Sequence, residues 1–115
     1  MKRSIAVILT LVMCLSLIGC GGVPDGMSKS AYEIGVKALK ITDQYIDADI
    51  SADEAHAKLS DLSDRIDSLP YSTENIKDRM VGIYIDSISY ELIRFQMDYS
   101  SIVEDRDKLA NVLGR

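Results

Sequence analysis

Apolar residues recur at helical spacing through most of this chain, and this periodicity is the strongest constraint on its fold. The clearest run alternates between spacings of four and three residues: Val81, Ile85, Ile88, Leu92, Phe95, Tyr99 and Ile102. Such spacing places the side chains on one face of an α-helix. Leu109 and Leu113 continue the register, and no proline interrupts it. We therefore predict a third helix that begins near Ser72 or Thr73 and continues unbroken to Leu113, with a break near Ser100-Ser101 as the alternative.

Two shorter segments have the same periodicity. The first is predicted over Lys29 to Asp47, with apolar residues at Ala31, Ile34, Ala38, Ile41 and Tyr45. The second is predicted over Ala52 to Leu69, with a stripe of Ala55, Leu59, Leu62, Ile66 and Leu69. Ser51 and Glu54 have the spacing of a capping box at its start. Pro70 ends it, because the residue before a proline disfavours helical geometry.

No strand pattern competes with these helices. We predict an all-α fold: a small antiparallel three-helix bundle with a long third helix, formed by residues 28–115 and joined by short connections. Leu62 and Leu92 lie in the middle of their stripes, so we expect both to be buried.

The N-terminal residues have a different pattern. Lys2 and Arg3 precede an almost uninterrupted apolar run from Ser4 to Ile18, which stops at Gly19. A positive start followed by about 7–15 apolar residues is typical of a secretory signal peptide. A membrane-spanning helix needs roughly 20 apolar residues, which is more than this run provides.

The run ends in Leu17-Ile18-Gly19-Cys20, which resembles the lipobox of bacterial lipoproteins. The resemblance implies cleavage after Gly19 and a diacylglyceryl group on the Cys20 thiol, so that residues 1–19 are the signal peptide and residues 20–27 a lipidated tether. It also implies a protein with fatty acyl chains such as palmitate, held on the extracytoplasmic face of the cell membrane. Two acyl chains suffice for stable attachment.

Cleavage changes the composition. Removal of 19 of the 115 residues leaves 96, with 11 basic and 18 acidic residues, so the formal charge becomes −7 instead of −5. Cys14 would leave with the signal peptide and Cys20 would carry lipid, so no thiol remains for a disulfide. The acidic charge argues against a nucleic-acid partner. It also argues against docking on anionic head groups, which attract Lys and Arg. Attachment is therefore expected through the lipid on Cys20.

Oxygen-bearing side chains alternate between the first two segments at Asp47, Asp49, Ser51 and Asp53. This alternation resembles the start of a calcium-binding EF-hand loop. Ala52 occupies the position where that loop needs glycine, and Lys58 the position where it needs a bidentate glutamate. We therefore interpret the stretch as a polar connection and expect no metal site.

His56 is the sole histidine of the chain. A zinc site would need further nitrogen or sulfur ligands, and a small hydrolase would need a cluster of polar groups around the ring. We expect a solvated surface histidine, no cofactor and no enzymatic activity.

A second apolar side of the third helix is the candidate functional feature. Ile83, Tyr90, Ile93 and Met97 lie nearly opposite the main stripe when the helix is projected at 100° per residue. An exposed apolar patch commonly marks an interaction site. We predict a helical protein-interaction module that binds an envelope protein or a second copy of itself. Two alternatives stay open: the first two helices cover this side, or the protein is a small-ligand-binding envelope lipoprotein.

Overall fold

The structure, a computed structural model, describes residues 22–94 and 98–115. The predicted signal peptide and Cys20 lie outside the described residues, as do Phe95 and Met97. Within the described part the chain is all-helical, which confirms the predicted fold class. Four α-helices and one 3₁₀ turn follow in order: α1 (Lys29–Ile46), α2 (Ala52–Asp67), the 3₁₀ turn (Thr73–Asn75), α3 (Lys77–Ile93) and α4 (Tyr99–Val112).

Short polar side chains fix the helix starts. The Ser28 hydroxyl accepts a hydrogen bond from the Ala31 amide at 3.1 Å, and the Ser51 hydroxyl accepts one from the Glu54 amide at 3.1 Å. Each bond satisfies an amide that has no partner within its own helix. The predicted starts of α1 and α2 are confirmed, and both helices end within two residues of the predicted positions.

The prediction of an unbroken third helix is wrong. α3 ends at Ile93, and α4 begins only at Tyr99. The reason is a local cap: the Asp98 carboxylate accepts hydrogen bonds from the amides of Ser100 at 3.0 Å and Ser101 at 3.4 Å. This cap starts a new helix, so the described residues contain four α-helices and not the three predicted. Tyr99, placed by periodicity on the buried stripe, is 51% exposed.

Contacts between the helices show that α4 returns along α3. The Ser87 hydroxyl donates to the Asp105 carboxylate, whereas Leu113 near the chain end approaches Val81 across Gly35. The two helices are therefore antiparallel. Arg106 ties α4 to α1 through two hydrogen bonds to Asp43, at 2.7 and 3.1 Å. These bonds raise the pKa of Arg106, since they favour its charged form.

The core lies where these helices meet. Its fully buried large apolar residues come from α2, α3, α4 and the C-terminal turn: Leu59, Val81, Ile85, Ile88, Ile102, Leu109 and Leu113. Leu62 and Leu92 are each 4% exposed, which confirms their predicted burial. Gly35 lets α1 approach closely, because an added Cβ would lie 2.7 Å from Leu113 Cδ2 and 3.1 Å from Val81 Cγ1.

The tether joins the fold directly. Met27 is buried, and Ser28 donates to the Asp78 carboxylate through its amide at 2.8 Å and its hydroxyl at 2.7 Å. The fold therefore holds the predicted tether at Met27, seven residues after the predicted lipidation position. No helix within the described ranges combines the length and apolar character needed to cross a membrane.

Candidate functional site

The second apolar side of α3 is largely uncovered. Ile83 and Tyr90 are each 63% exposed, and Ile93 is 54% exposed. The inner side of the same helix is buried, at Val81 and Ile85 among others. Met97 lies outside the described residues, and α3 ends before it. The structure thus brings three of the four predicted residues onto one exposed side.

Further exposed apolar residues extend this side toward the start of α3. Ile76 is 61% exposed and Met80 is 38% exposed. Met80 lies three residues before Ile83 on α3, and Ile76, the residue that precedes α3, has helical backbone angles and continues the same side. We name Ile76, Met80, Ile83, Tyr90 and Ile93 the outer stripe. The sequence prediction missed Ile76 and Met80, although the same spacing would have found them.

Two polar contacts lie on either side of Ile83. Toward α2, the Ser63 hydroxyl donates to the Asp86 carboxylate. Toward α4, the Ser87 hydroxyl donates to the Asp105 carboxylate. Asp86 and Ser87 lie about 60° and 40° from Ile83 on opposite sides, given 100° per residue. The neighbouring helices therefore pack up to either side of Ile83 and Tyr90 and leave these two residues open.

A surface groove of about 560 Å³ lies beside the stripe, between the end of α2 and the start of α3. Ile83 belongs to both features. The other groove residues are mixed in character and include Ile66, Asp67, Tyr71, Arg79 and Asp86. The Arg79 guanidinium carbon lies 5.3 Å from the centre of the Tyr71 ring, which is within range of a cation–π contact. This groove has the size of a small-molecule site.

His56 is not the solvated surface residue that the sequence predicted. It is half-buried, with Nδ1 at 2.9 Å from the Ser89 hydroxyl and 3.0 Å from the Ser89 carbonyl oxygen. Ser60 lies 3.5 Å from Nε2 and 3.2 Å from the Ser89 hydroxyl. A ring protonated at Nδ1 donates to Ser89 and accepts from Ser60. Sequence spacing could not reveal this cluster, because it depends on the register between α2 and α3.

The cluster contains the two residue types of a catalytic serine–histidine pair, so its geometry decides whether it could act as one. Among the described residues, His56 forms its hydrogen bonds with the two serines, and none links it to a carboxylate that would orient the ring as a general base. Ser89 is also only 6% exposed, so a substrate has little access to its hydroxyl. The contacts join α2 to α3.

The end of α3 carries a buried acid. Glu91 is 9% exposed, and one of its oxygens accepts a hydrogen bond from Arg94 at 2.9 Å. This bond raises the pKa of Arg94. The Asp98 cap lowers the pKa of the Asp98 carboxyl, because Ser100 and Ser101 donate to its charged form. The first contact lies at the end of α3, and the second starts α4.

The acidic connection between α1 and α2 shows the polar turn expected for it. Asp47 ends α1, Ala48 has a positive φ of 61°, and Ser51 caps α2. Across the described part of the chain, no group of three or more His, Cys, Asp and Glu side chains converges as metal ligands would.

Comparison with protein families, with curated proteins and with solved structures finds no match for this chain.

Proposed function

We propose that this protein is a lipid-anchored bacterial envelope protein that acts as a helical protein-interaction module through the outer stripe of α3. It binds a partner and does not catalyse a reaction. The observation that carries the proposal is the row of Ile83, Tyr90 and Ile93, each more than half exposed on a helix whose opposite side forms the core. The lipobox ending in Cys20 supports the anchor.

The outer stripe suits helix packing against another protein. Ile76, Ile83 and Tyr90 recur at intervals of seven residues, the spacing at which two helices meet along their length. Fully burying a side chain such as Ile contributes about 1.5–3 kcal/mol. Contact with a second helix that covers the outer stripe would therefore stabilise the complex.

The anchor would assist this binding. Proteins confined to one membrane surface meet at a raised effective concentration, so a modest interface is enough. The net charge opposes self-association, because two copies that each carry a formal charge of −7 repel each other. Salt screens that repulsion, and association between copies should therefore strengthen as salt increases.

A second candidate function is binding of a small ligand in the groove beside the stripe, favoured by its volume of about 560 Å³. Tyr90 and Ile93 do not line that groove, whereas Ile83 does. Substitutions at Tyr90 and Ile93 therefore affect the two candidate functions differently.

Sedimentation of the chain from Gly22 onward, which contains the core described above, tests the stripe. We expect self-association that increases with salt, and a monomer for Tyr90→Glu with Ile93→Glu at an unchanged unfolding midpoint. Unfolding of the double variant would instead place these residues in the core. If the wild type is monomeric and crosslinks to no envelope protein in membranes, the interaction proposal fails.

Mass spectrometry of the membrane fraction tests the anchor. We expect a mature chain that begins at an acylated Cys20, and an unprocessed precursor for Cys20→Ala. A wild-type chain with an unmodified Met1 terminus would contradict the anchor.

A further inference from the structure

A second apolar groove, of about 420 Å³, lies on the outer side of α1. Its apolar residues are Val23 of the tether and Tyr32 and Val36 of α1. Basic residues stand around them, namely Lys29, Lys37 and Arg115. We name these six residues the α1 groove. It combines an apolar floor with a positive rim.

Three basic residues of this acidic protein meet at the rim of the groove. Five basic residues of the helices lie in ion pairs, namely Lys58, Arg65, Arg94, Arg106 and Lys108. The basic residues of the α1 groove form no ion pair with any described residue. Glu33 is the one acidic residue beside them, so the groove keeps a local excess of positive charge.

The N-terminal end of the described chain also lies at the α1 groove. Gly22, the first described residue, lines it. Cys20 precedes Gly22 by two residues, and two extended residues span at most about 7 Å. Acyl chains on Cys20 would therefore enter the bilayer beside the α1 groove.

We infer that the α1 groove lies against the bilayer, with Lys29, Lys37 and Arg115 contacting anionic head groups and Tyr32 and Val36 at the interface. This inference rests on the proposed lipid anchor. Anionic lipids attract Lys and Arg near the membrane surface, and this attraction falls off within a Debye length. The net negative charge of the protein argues against such docking, but the tether holds this positive region at the surface.

The inferred orientation keeps the outer stripe off the membrane. Gly35 of α1 faces Val81 of α3. Tyr32, Val36 and Lys37 of the groove lie about 60°, 100° and 200° around α1 from Gly35. Tyr90 lies nine residues beyond Val81, about 180° around α3. The α1 groove and the outer stripe therefore point in different directions, and docking of one leaves the other accessible to a partner.

The test uses the full, lipidated protein in vesicles of zwitterionic lipid with or without an anionic phospholipid. Because the processed chain has no free thiol, Ser30→Cys beside the groove and Ile83→Cys on the outer stripe each accept a single fluorescent label. A nitroxide on the lipid head group quenches labels near the surface. We expect several-fold stronger quenching at position 30 than at position 83 in anionic vesicles, and a smaller difference at high salt.

Charge variants test the cause. Lys29→Gln, Lys37→Gln and Arg115→Gln together should remove the difference between the two labels. A matched control, Arg65→Gln, Arg79→Gln and Lys108→Gln, makes the same change in net charge elsewhere and should preserve it. Equal quenching at both positions in the wild type, stronger quenching at position 83, or a difference that persists in the groove variant would overturn the inference. Failure of the protein to float with the vesicles would instead contradict the anchor.

Discussion

The two sides of α3 are both apolar, yet only one is covered. Val81, Ile85 and Ile88 on the inner side are fully buried, whereas Ile83 and Tyr90 on the outer side are each 63% exposed. Both sides show the spacing of an amphipathic helix face, so periodicity alone does not separate them. The difference shows that burial depends on where the neighbouring helices stop.

Polar contacts show where they stop. Ser63 of α2 reaches Asp86, and Asp105 of α4 accepts from Ser87. Ser63 is buried, and a buried polar group is costly unless it is hydrogen-bonded, so its bond to Asp86 favours one placement of α2 beside Ile83. The half-buried pair of Ser87 and Asp105 fixes α4 on the other side of Ile83. Shifting α2 or α4 outward over the stripe would break these pairs.

The largest expected effect compares two adjacent residues on the two sides. Leu92→Ala should lower the free energy of unfolding by about 2–5 kcal/mol, because Leu92 is 4% exposed and truncation leaves a cavity. Ile93→Ala should change it by less than about 0.5 kcal/mol, as at other exposed positions. Urea denaturation of the chain from Gly22 onward measures both. A loss under about 1 kcal/mol for Leu92→Ala would show that the inner side is not the core.

A smaller effect tests how tightly the inner side is covered. Gly35→Ala places a methyl 2.7 Å from Leu113 Cδ2, and overpacking of this kind costs about 1–3 kcal/mol. The better helix propensity of alanine offsets about 1 kcal/mol of this cost. We therefore expect the free energy of unfolding to fall by about 1 kcal/mol. Gly82→Ala is the matched control, since its nearest contact, Ile66 Cγ2, is 3.3 Å away. It should be close to neutral, and an equal loss at both glycines would contradict close packing at Gly35.

Much of the fold could be predicted from the sequence because it depends on local signals. The caps at Ser28 and Ser51 and the stripes of α1 and α2 are properties of short segments. The break before α4 has a local cause that periodicity does not show: the apolar register continues from Leu92 to Ile102, whereas α4 begins where the Asp98 carboxylate caps it. Returning along α3 buries Ile102, Leu109 and Leu113, which a projecting helix could not achieve.

The candidate site was predicted in part. Helical projection placed Ile83, Tyr90 and Ile93 on a second side, and the structure shows them exposed. Projection of one helix gave no information about His56, which contacts Ser89 of the next helix, 33 residues away in the sequence. Contacts of that kind depend on helix register, which single-segment patterns do not determine.

The smallest expected effect concerns Asp98, whose cap separates α4 from α3 and so limits the length of the outer stripe. Its pKa is lowered from the ordinary value of 3.8 because Ser100 and Ser101 donate to the carboxylate. A lowered pKa in the folded state contributes stability above the ordinary value, and this contribution is lost as the pH falls through the folded value. We therefore expect lower protection of the first amides of α4, measured as the exchange rate relative to the intrinsic rate at the same pH, in the wild type below pH 3.8, and in Asp98→Ala already above that pH. Asp98→Asn should keep the cap, because asparagine is also a good N-cap residue, and should lose the acid dependence. If Asp98→Ala left these amides protected, the break would depend on tertiary packing alone, and the outer stripe would end at Ile93 whatever residue follows the connection.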